Sequence, residues 1–379
     1  MLVYIIPIVL CLLGIFVYDK HNSKKGYILF CFVVVYLAFL AGFSYRVGSD
    51  AGSYMDTYTT IPTFANLTIK KISYSEYQPL YFLLCVFCKS IIKEIWLMHL
   101  VQSTIVCFSF SIFLNKYCSR KFTGLLFFIF FVYPYFCYEI YKESIAVSIF
   151  LIGYLYLQEK KYVRYFIFVI VALGFHFSAI FAFIIPFISK LRFNFKFFIC
   201  AGIAGLFYLS FLTFIPDLIP LLISNDYILS KFDYYTLSLT EQLNENWYID
   251  SFLRNVFVPL VVCIWYKIRK QSIPYEWAFC FYVILGLGTL EFALLFERPL
   301  NYFLPFIVVA LVKIVERERL RFKHVTIPTI TIIFVFWLAV RGLFYLRGET
   351  YRLLIPYESI FTKTINTPRE NVVFDIHPN

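Results

Sequence analysis

Apolar runs recur along nearly the whole chain, and short basic clusters punctuate them. A helix needs about 20 apolar residues to cross the hydrocarbon of a bilayer. Of 379 residues, 61% are hydrophobic and 15% charged, with 47 Phe and 31 Tyr, and mean hydropathy is +0.76. No soluble domain hides that much apolar surface, so the solvent for most of the chain is lipid. Long unbroken runs exclude a β-barrel, whose strands alternate in polarity. The expected class is all-α, a polytopic integral membrane protein.

Residues 2–18 read as a first span and not as a cleavable signal, since no basic residue precedes them and no small-residue cleavage site follows. The net charge of +11 sits in short clusters between apolar runs, a pattern of membrane topology and not of nucleic-acid binding. Cys85 and Cys88 form a CxxC inside an apolar helix, with no second pair nearby, which points to packing over metal or redox chemistry.

The basic clusters set the expected topology. They are Lys20/Lys24/Lys25, Lys116/Arg120/Lys121, Lys160/Lys161/Arg164, Lys190/Arg192/Lys196, Lys267/Arg269/Lys270 and Arg317/Arg319/Arg321/Lys323. With all six on the cytoplasmic side, spans 2–18 and 26–45 deliver residues 46–58 to the outer face. Segment 79–92 is short of the ~20 residues a crossing needs and reads as an interfacial or re-entrant helix. Segment 95–114 runs inward, and 122–138 with 142–157 form an outward hairpin. Residues 162–189 must go out and return in too few residues for two spans, so two half-helices should meet near His176. Span 195–214 leads to an external helical loop, 215–250. Spans 251–268, 275–296, 299–315 and 325–345 complete a single transmembrane domain over 1–345, and the tail 346–379 lies outside. The total is about 12 transmembrane helices, including the broken pair.

Sorting the polar residues by side gives the functional expectation. The cytoplasmic loops are short and basic, without a Gly-rich phosphate loop. The outer face collects Arg46, Asp50, Tyr54, Glu139, Lys142, Glu143 and His176, then Arg254, Glu291, Glu297, Arg298 and Arg341. Ionised groups at the edge of apolar runs are costly unless paired or wet. Such a set suits one outward-facing, cationic, water-filled pocket for an anionic lipid head, whose phosphate oxygens match the planar fork of arginine. Arg46, Asp50 and Tyr54 fall four residues apart, one face of a helix, although Gly48 and Gly52 permit a turn there. Arg46 and Arg254 are open to a second reading as snorkelling anchors, and His176 to one as a packing histidine.

Several of these stretches also resemble the EpsG-like family, which overlaps the Wzy-type bacterial polysaccharide polymerases. Arg46-x-Gly48-x-Asp50-x-x-x-Tyr54-x-x-x-Tyr58 resembles the family's opening motif. Gln78-Pro79-Leu80-Tyr81-Phe82 is similar to its Glu-Pro segment, with Gln78 in place of the usual Glu. Lys142-Glu143 stands where the family has Arg-Gln. Phe175-His176-Phe177-Ser178 matches a Phe-His-x-Ser element, Arg298 with Asn301-Tyr302-Phe303 a late Arg-x-x-x-Tyr-Phe element, and Pro356-Tyr357 an end motif.

The resemblance implies a glycosyltransferase of the bacterial cytoplasmic membrane with its active site facing the periplasm or exterior. Its substrate would be an oligosaccharide on polyprenyl diphosphate, and its partners a chain-length regulator and a flippase of the same pathway. Diphosphate is already a good leaving group, so no nucleotide sugar or cytosolic site is needed, and neither cofactor nor metal is expected. Arg46, Arg298 and Lys142 would hold the diphosphate. His176, Asp50 and Glu143 are the candidate bases, His176 first because its ordinary pKa is nearest neutrality. Tyr54, Gln78, Glu139, Arg254 and Tyr302 would contact the rest of the substrate. One base and one displacement imply inversion at the anomeric carbon. The alternatives are a flippase for lipid-linked oligosaccharide and a ligase-type glycosyltransferase.

Overall fold

A computed structural model of the chain describes residues 2–19, 23–68, 77–189, 192, 194, 245–290, 293–321 and 350–376. Spans 195–214 and 325–345, loop residues 215–244, Glu291 and Arg341 lie outside the described residues. Among those described, the elements are helices and turns, with one isolated bridge between Ser44 and Ser359. They divide into two compact units, Met1–Phe183 with Val312–Asn379, and Ile184–Leu311.

The first unit opens with α1 (Leu2–Val17), α2 (Lys24–Gly42) and α3 (Ala51–Thr60), then α4 (Pro79–Ile91), α5 (Trp96–Tyr117) and α6 (Lys121–Phe131). It continues with α7 (Tyr133–Tyr138), α8 (Tyr141–Gln158) and α9 (Tyr162–Leu173). Only α2 and α5, among the described residues, are long and apolar enough to cross a membrane unaided; α1, α4, α6 and α9 are apolar but shorter. The figure of about 12 spans therefore stays a sequence expectation. The exposed side chains are those of a lipid-facing surface: Leu2, Phe16, Ile28, Phe32 and Val163 each show more than half their area. In water that exposure would cost roughly 25 cal/mol per Å².

Local chemistry explains where these helices start and stop. Ser23 Oγ accepts from Gly26 N at 3.0 Å and caps α2. The Asp19 carboxylate caps α6 from across the unit, accepting from Phe122 N, Thr123 N and Thr123 Oγ1 at 2.7–2.9 Å. Pro79 sits in the first turn of α4, where its missing N–H costs nothing. Pro134 likewise opens α7, so the expected span 122–138 is split at Val132. Lys89 donates to the carbonyls of Tyr58 and Thr59 at 2.7 and 2.8 Å, a cation at the C-terminal end of α3.

The expected break in 162–189 is present. Helix α9 ends at Leu173, and the chain resumes as a 3₁₀ helix, Phe177–Ile184. Gly174 makes the junction: its carbonyl accepts from Leu80 N at 2.9 Å and Tyr81 N at 3.4 Å. A Cβ on Gly174 would meet Leu80 Cδ1 at 2.5 Å, so a larger residue there would have to push the Leu80 side chain aside.

The second unit holds α10 (Ile185–Ile188), α11 (Glu245–Phe252), α12 (Val258–Ile268), α13 (Glu276–Gly288), α14 (Ala293–Leu300) and the start of α15 (Leu304–Arg321). A one-turn π-helix, Leu253–Phe257, joins α11 to α12. Helix α16 (Thr367–Ile376), near the end of the chain, belongs to the first unit.

Candidate functional site

The expected helical face of Arg46, Asp50 and Tyr54 does not form. Arg46 is left-handed at φ +51° and Gly48 lies at φ +105°. The helix starts only at Ala51, with Asp50 at its N-cap. A Cβ on Gly48 would lie 2.4 Å from the Tyr138 carbonyl oxygen, so glycine is required for the loop to close on α7. The loop brings the Arg46 side chain against the C-terminal tail.

That tail is a structural partner of the loop, a role its sequence gave no reason to expect. Tyr45 N donates to Glu358 O at 2.9 Å, Gly48 N to Leu353 O at 3.0 Å, and Ile360 N to Phe43 O at 2.9 Å. Tyr357, of the Pro-Tyr motif, donates its hydroxyl to Leu40 O at 2.9 Å. Arg369 is 1% exposed. Its guanidinium donates to the backbone carbonyls of Arg46 (3.0 Å), Arg352 (2.9 Å) and Pro356. Burial lowers its pKa. The neighbouring Glu370 takes the Arg46 fork in both oxygens, from Nε and Nη2 at 2.7 Å each. That hydrogen bonding raises the pKa of Arg46 further. The loop and its cation are thus held by α16.

The polar groups of the first unit meet along one elbow, residues 139–143, between α7 and α8. Glu139 Oε2 accepts from Ser49 N at 2.8 Å, from Ser49 Oγ, and from Asp50 N at 3.4 Å. Burial, with the nearby Asp50 charge adding to it, pushes the Glu139 carboxyl up to about 7. The Tyr141 ring stacks on Tyr54 (centroids 4.3 Å, planes 9° apart) and on His99 (4.5 Å, 21°). Lys142 Nζ lies 4.8 Å from the Tyr77 ring centroid. Glu143 is 1% exposed and accepts from Ser178 Oγ at 3.3 Å. Ser178 Oγ in turn lies 2.7 Å from His176 Nδ1.

Successive elbow residues therefore touch the 46–58 segment, the entry to α4, and the broken 174–178 stretch. Gln78, just ahead of α4, has its Oε1 buried with no hydrogen-bond partner among the described residues. In native structures a buried acceptor of this kind calls for an explanation, such as a ligand or water that completes it.

Three of the predicted site residues lie in the second unit. Arg254, within the π-helix, pairs with Glu297 at 3.0 Å. Beside it, buried Asn255 bonds Ser251 (3.2 Å) and Tyr282 (3.4 Å), and Ser251 bonds Thr289 (3.0 Å). Arg298 is in α14. Tyr302 is fully buried, in the turn that opens α15.

Sequence reasoning missed His99, Ser178, Ser49 and the Arg369–Glu370 pair. Ser178 was within reach, since it is the last residue of the Phe-His-x-Ser stretch. His99 sits in an apolar run and carries no pattern of its own; its Nε2 lies 2.7 Å from Cys137 O. Among the described residues no group of three or more His, Cys, Asp or Glu is arranged to hold a metal ion.

One family model, described as the EpsG family, matches residues 27–359. No curated protein and no solved structure matches the chain. The match takes in the 46–58 segment, the elbow, the helix break and the second unit, and it stops short of α16.

Proposed function

We propose, for a chain that belongs to the EpsG family, that it elongates a polysaccharide by transferring a polyprenyl-diphosphate-linked glycan onto the non-reducing end of a lipid-linked repeat unit. The family fits a membrane protein of polysaccharide biosynthesis acting on a lipid-linked sugar in general. The finer reaction is our reading, with the site at the outer face of the bacterial cytoplasmic membrane.

The observation that carries it is the elbow. It brings a cation (Lys142), a buried carboxylate (Glu143) linked through Ser178 to a histidine, and half-buried tyrosines into one continuous set of contacts. Glycosyl transfer from a diphosphate needs those parts and little else. Charge builds on the departing diphosphate and needs cations, for which Arg46 and Lys142 serve in the first unit. The attacking sugar hydroxyl needs one base, His176. Tyr54 and Tyr77 offer ring faces for sugar, and the unsatisfied Gln78 Oε1 suits a sugar hydroxyl. Arg46 already holds Glu370, so a phosphate must displace that carboxylate or share the guanidinium with it. One displacement by one base inverts the anomeric centre, and no step calls for a metal.

Deletion of the gene in its host, with the surface polysaccharide resolved by size, tests this reading. Loss of the long-chain ladder with single repeat units retained is the expected result. Loss of every repeat unit would indicate a flippase instead, and full-length polymer that never reaches its anchor a ligase.

A further inference from the structure

The C-terminal tail holds the 46–50 loop and also carries large apolar side chains that nothing in the first unit covers. We infer that residues 359–365 are a membrane-interface anchor. Phe361 and Ile365 enter the bilayer beside the neighbouring ends of α2 and α5, and so seat the tail on the membrane surface.

The level of this segment follows from the helices it touches. Helix α2 is long and apolar enough to cross a bilayer. Its 19 residues rise about 28 Å, close to the hydrocarbon thickness of about 30 Å. Gly42, at its end, therefore marks one boundary of the hydrocarbon. Helix α5, the other long apolar helix, starts at the same boundary: the rings of Phe43 and Trp96 lie 5.9 Å apart. Tryptophan at the end of a span is a common boundary residue.

Four contacts tie the tail to that level. Tyr357 donates its hydroxyl to Leu40 O, in the last turn of α2, at 2.9 Å. Ser359 forms a bridge with Ser44, and Ile360 N donates to Phe43 O at 2.9 Å. The Phe361 ring meets Phe43 edge-on at 5.7 Å. Lys363 pairs at 2.8 Å with Glu94, two residues ahead of Trp96.

Phe39 shows which solvent these rings share. It lies one turn inside Phe43, is stacked on it at 5.3 Å, and is 45% exposed. On a spanning helix that exposed surface faces lipid. Phe39, Phe43 and Phe361 thus form one run of rings from the lipid-facing wall of α2 out to the tail. Phe361 is 79% exposed and Ile365 62%. Between them come Thr362, Lys363 and Thr364, polar groups suited to the head-group zone while the apolar side chains dip below it. A protein partner fits this surface poorly. Two side chains offer at most about 400 Å², roughly half of what each partner brings to a stable protein interface.

The anchor also bears on the loop. Tyr45 N donates to Glu358 O and Gly48 N to Leu353 O, so lipid that seats residues 359–365 steadies the loop that carries Arg46. This holds whatever reaction the protein performs.

Two experiments in nanodiscs test it. In the first, Phe361→Trp adds one emitter to the five native tryptophans, and the added emission is taken as the difference from wild type. Lipids brominated near the head-group end of their acyl chains are expected to quench at least half of it, and aqueous acrylamide very little. Emission quenched by acrylamide and untouched by brominated lipid overturns the anchor. Emission shielded from both also overturns it, in favour of a protein partner or a second copy. The same question is put to the wild-type chain with a phospholipid carrying a diazirine at that acyl depth. Label on peptides spanning 359–365 is expected, and label confined to other segments overturns the proposal.

In the second, Phe361→Ser,Ile365→Ser is expected to speed hydrogen exchange at the Tyr45 amide about tenfold, with the helical amides of α2 and α5 unchanged. Exchange at the wild-type rate overturns the anchoring role.

Discussion

The two ends of the elbow solve the problem of holding charge in opposite ways. At the Glu139 end, the 46–50 loop is pinned by long-range partners. Arg46 has a carboxylate in its fork, Arg369 is buried among backbone carbonyls, and Glu139 accepts from the start of α3. At the Glu143 end the partners are nearer in sequence and form a chain of hydrogen bonds to a histidine. The first end is a clamp whose charges are matched within the protein. The second is a hydroxyl-bridged line of contacts from a buried carboxylate to a histidine. Conspicuous charge therefore marks the scaffold as readily as the chemistry.

This contrast orders the expected effects of substitution. Glu143→Ala removes the buried carboxylate that Ser178 contacts and should lower the rate of polymer formation about 100-fold or more, with the protein still in the membrane. Arg46→Ala removes a cation that Glu370 already matches, and should cost only about tenfold, less than a fully exposed catalytic arginine would. Equal losses at both residues would erase the distinction between the two ends.

Arg369→Ala tests the clamp by stability. It leaves three backbone carbonyls without their donor and should destabilise the first unit by about 3 kcal/mol, read as a lower midpoint of thermal unfolding in detergent. Faster hydrogen exchange at Tyr45 and Gly48 should accompany it, since both donate to the tail.

A smaller effect is expected from Glu370→Gln. If the carboxylate competes with substrate phosphate for Arg46, removing its charge should lower the apparent KM for lipid-linked substrate by about two- to fivefold, a change in keeping with the modest worth of a part-exposed pair. An unchanged KM would make Glu370 a purely structural partner.

The clamp also makes a prediction about pH. Glu139 is raised from its ordinary 4.5 to about 7. Its protonated form is favoured in the folded state, so its contribution to stability is fully present below pH 4.5 and is lost as pH rises through 7. Melting of wild type at pH 5.5 and pH 8 should show this loss. Glu139→Gln keeps an oxygen acceptor for the Ser49 and Asp50 N–H groups and should flatten the difference.

Much of the scaffold was legible in the sequence because it follows from length and punctuation. The 162–189 segment was expected to break near His176, and it breaks at Gly174. The 79–92 run was expected as one short helix, and α4 covers Pro79–Ile91. The hairpin tip gathered Glu139, Lys142 and Glu143, and all three take part in the elbow. The four-residue spacing of Arg46, Asp50 and Tyr54 misled, because helical periodicity holds only where the backbone is helical, and Arg46 and Gly48 have positive φ. The Arg46–Glu370 pair was illegible for another reason: its partners are 324 residues apart, and no periodicity or local motif joins such positions. His99 was hidden because a stacked, hydrogen-bonded histidine in an apolar helix looks, in sequence, like any packing residue.

The most direct test of the account is the size distribution of surface polysaccharide in cells whose only copy of the gene carries His176→Gln. Single repeat units without a ladder, from a protein inserted at wild-type abundance, are the expected result. A full ladder from that strain would contradict it, because a transfer that runs without His176 is not the one assigned to the elbow.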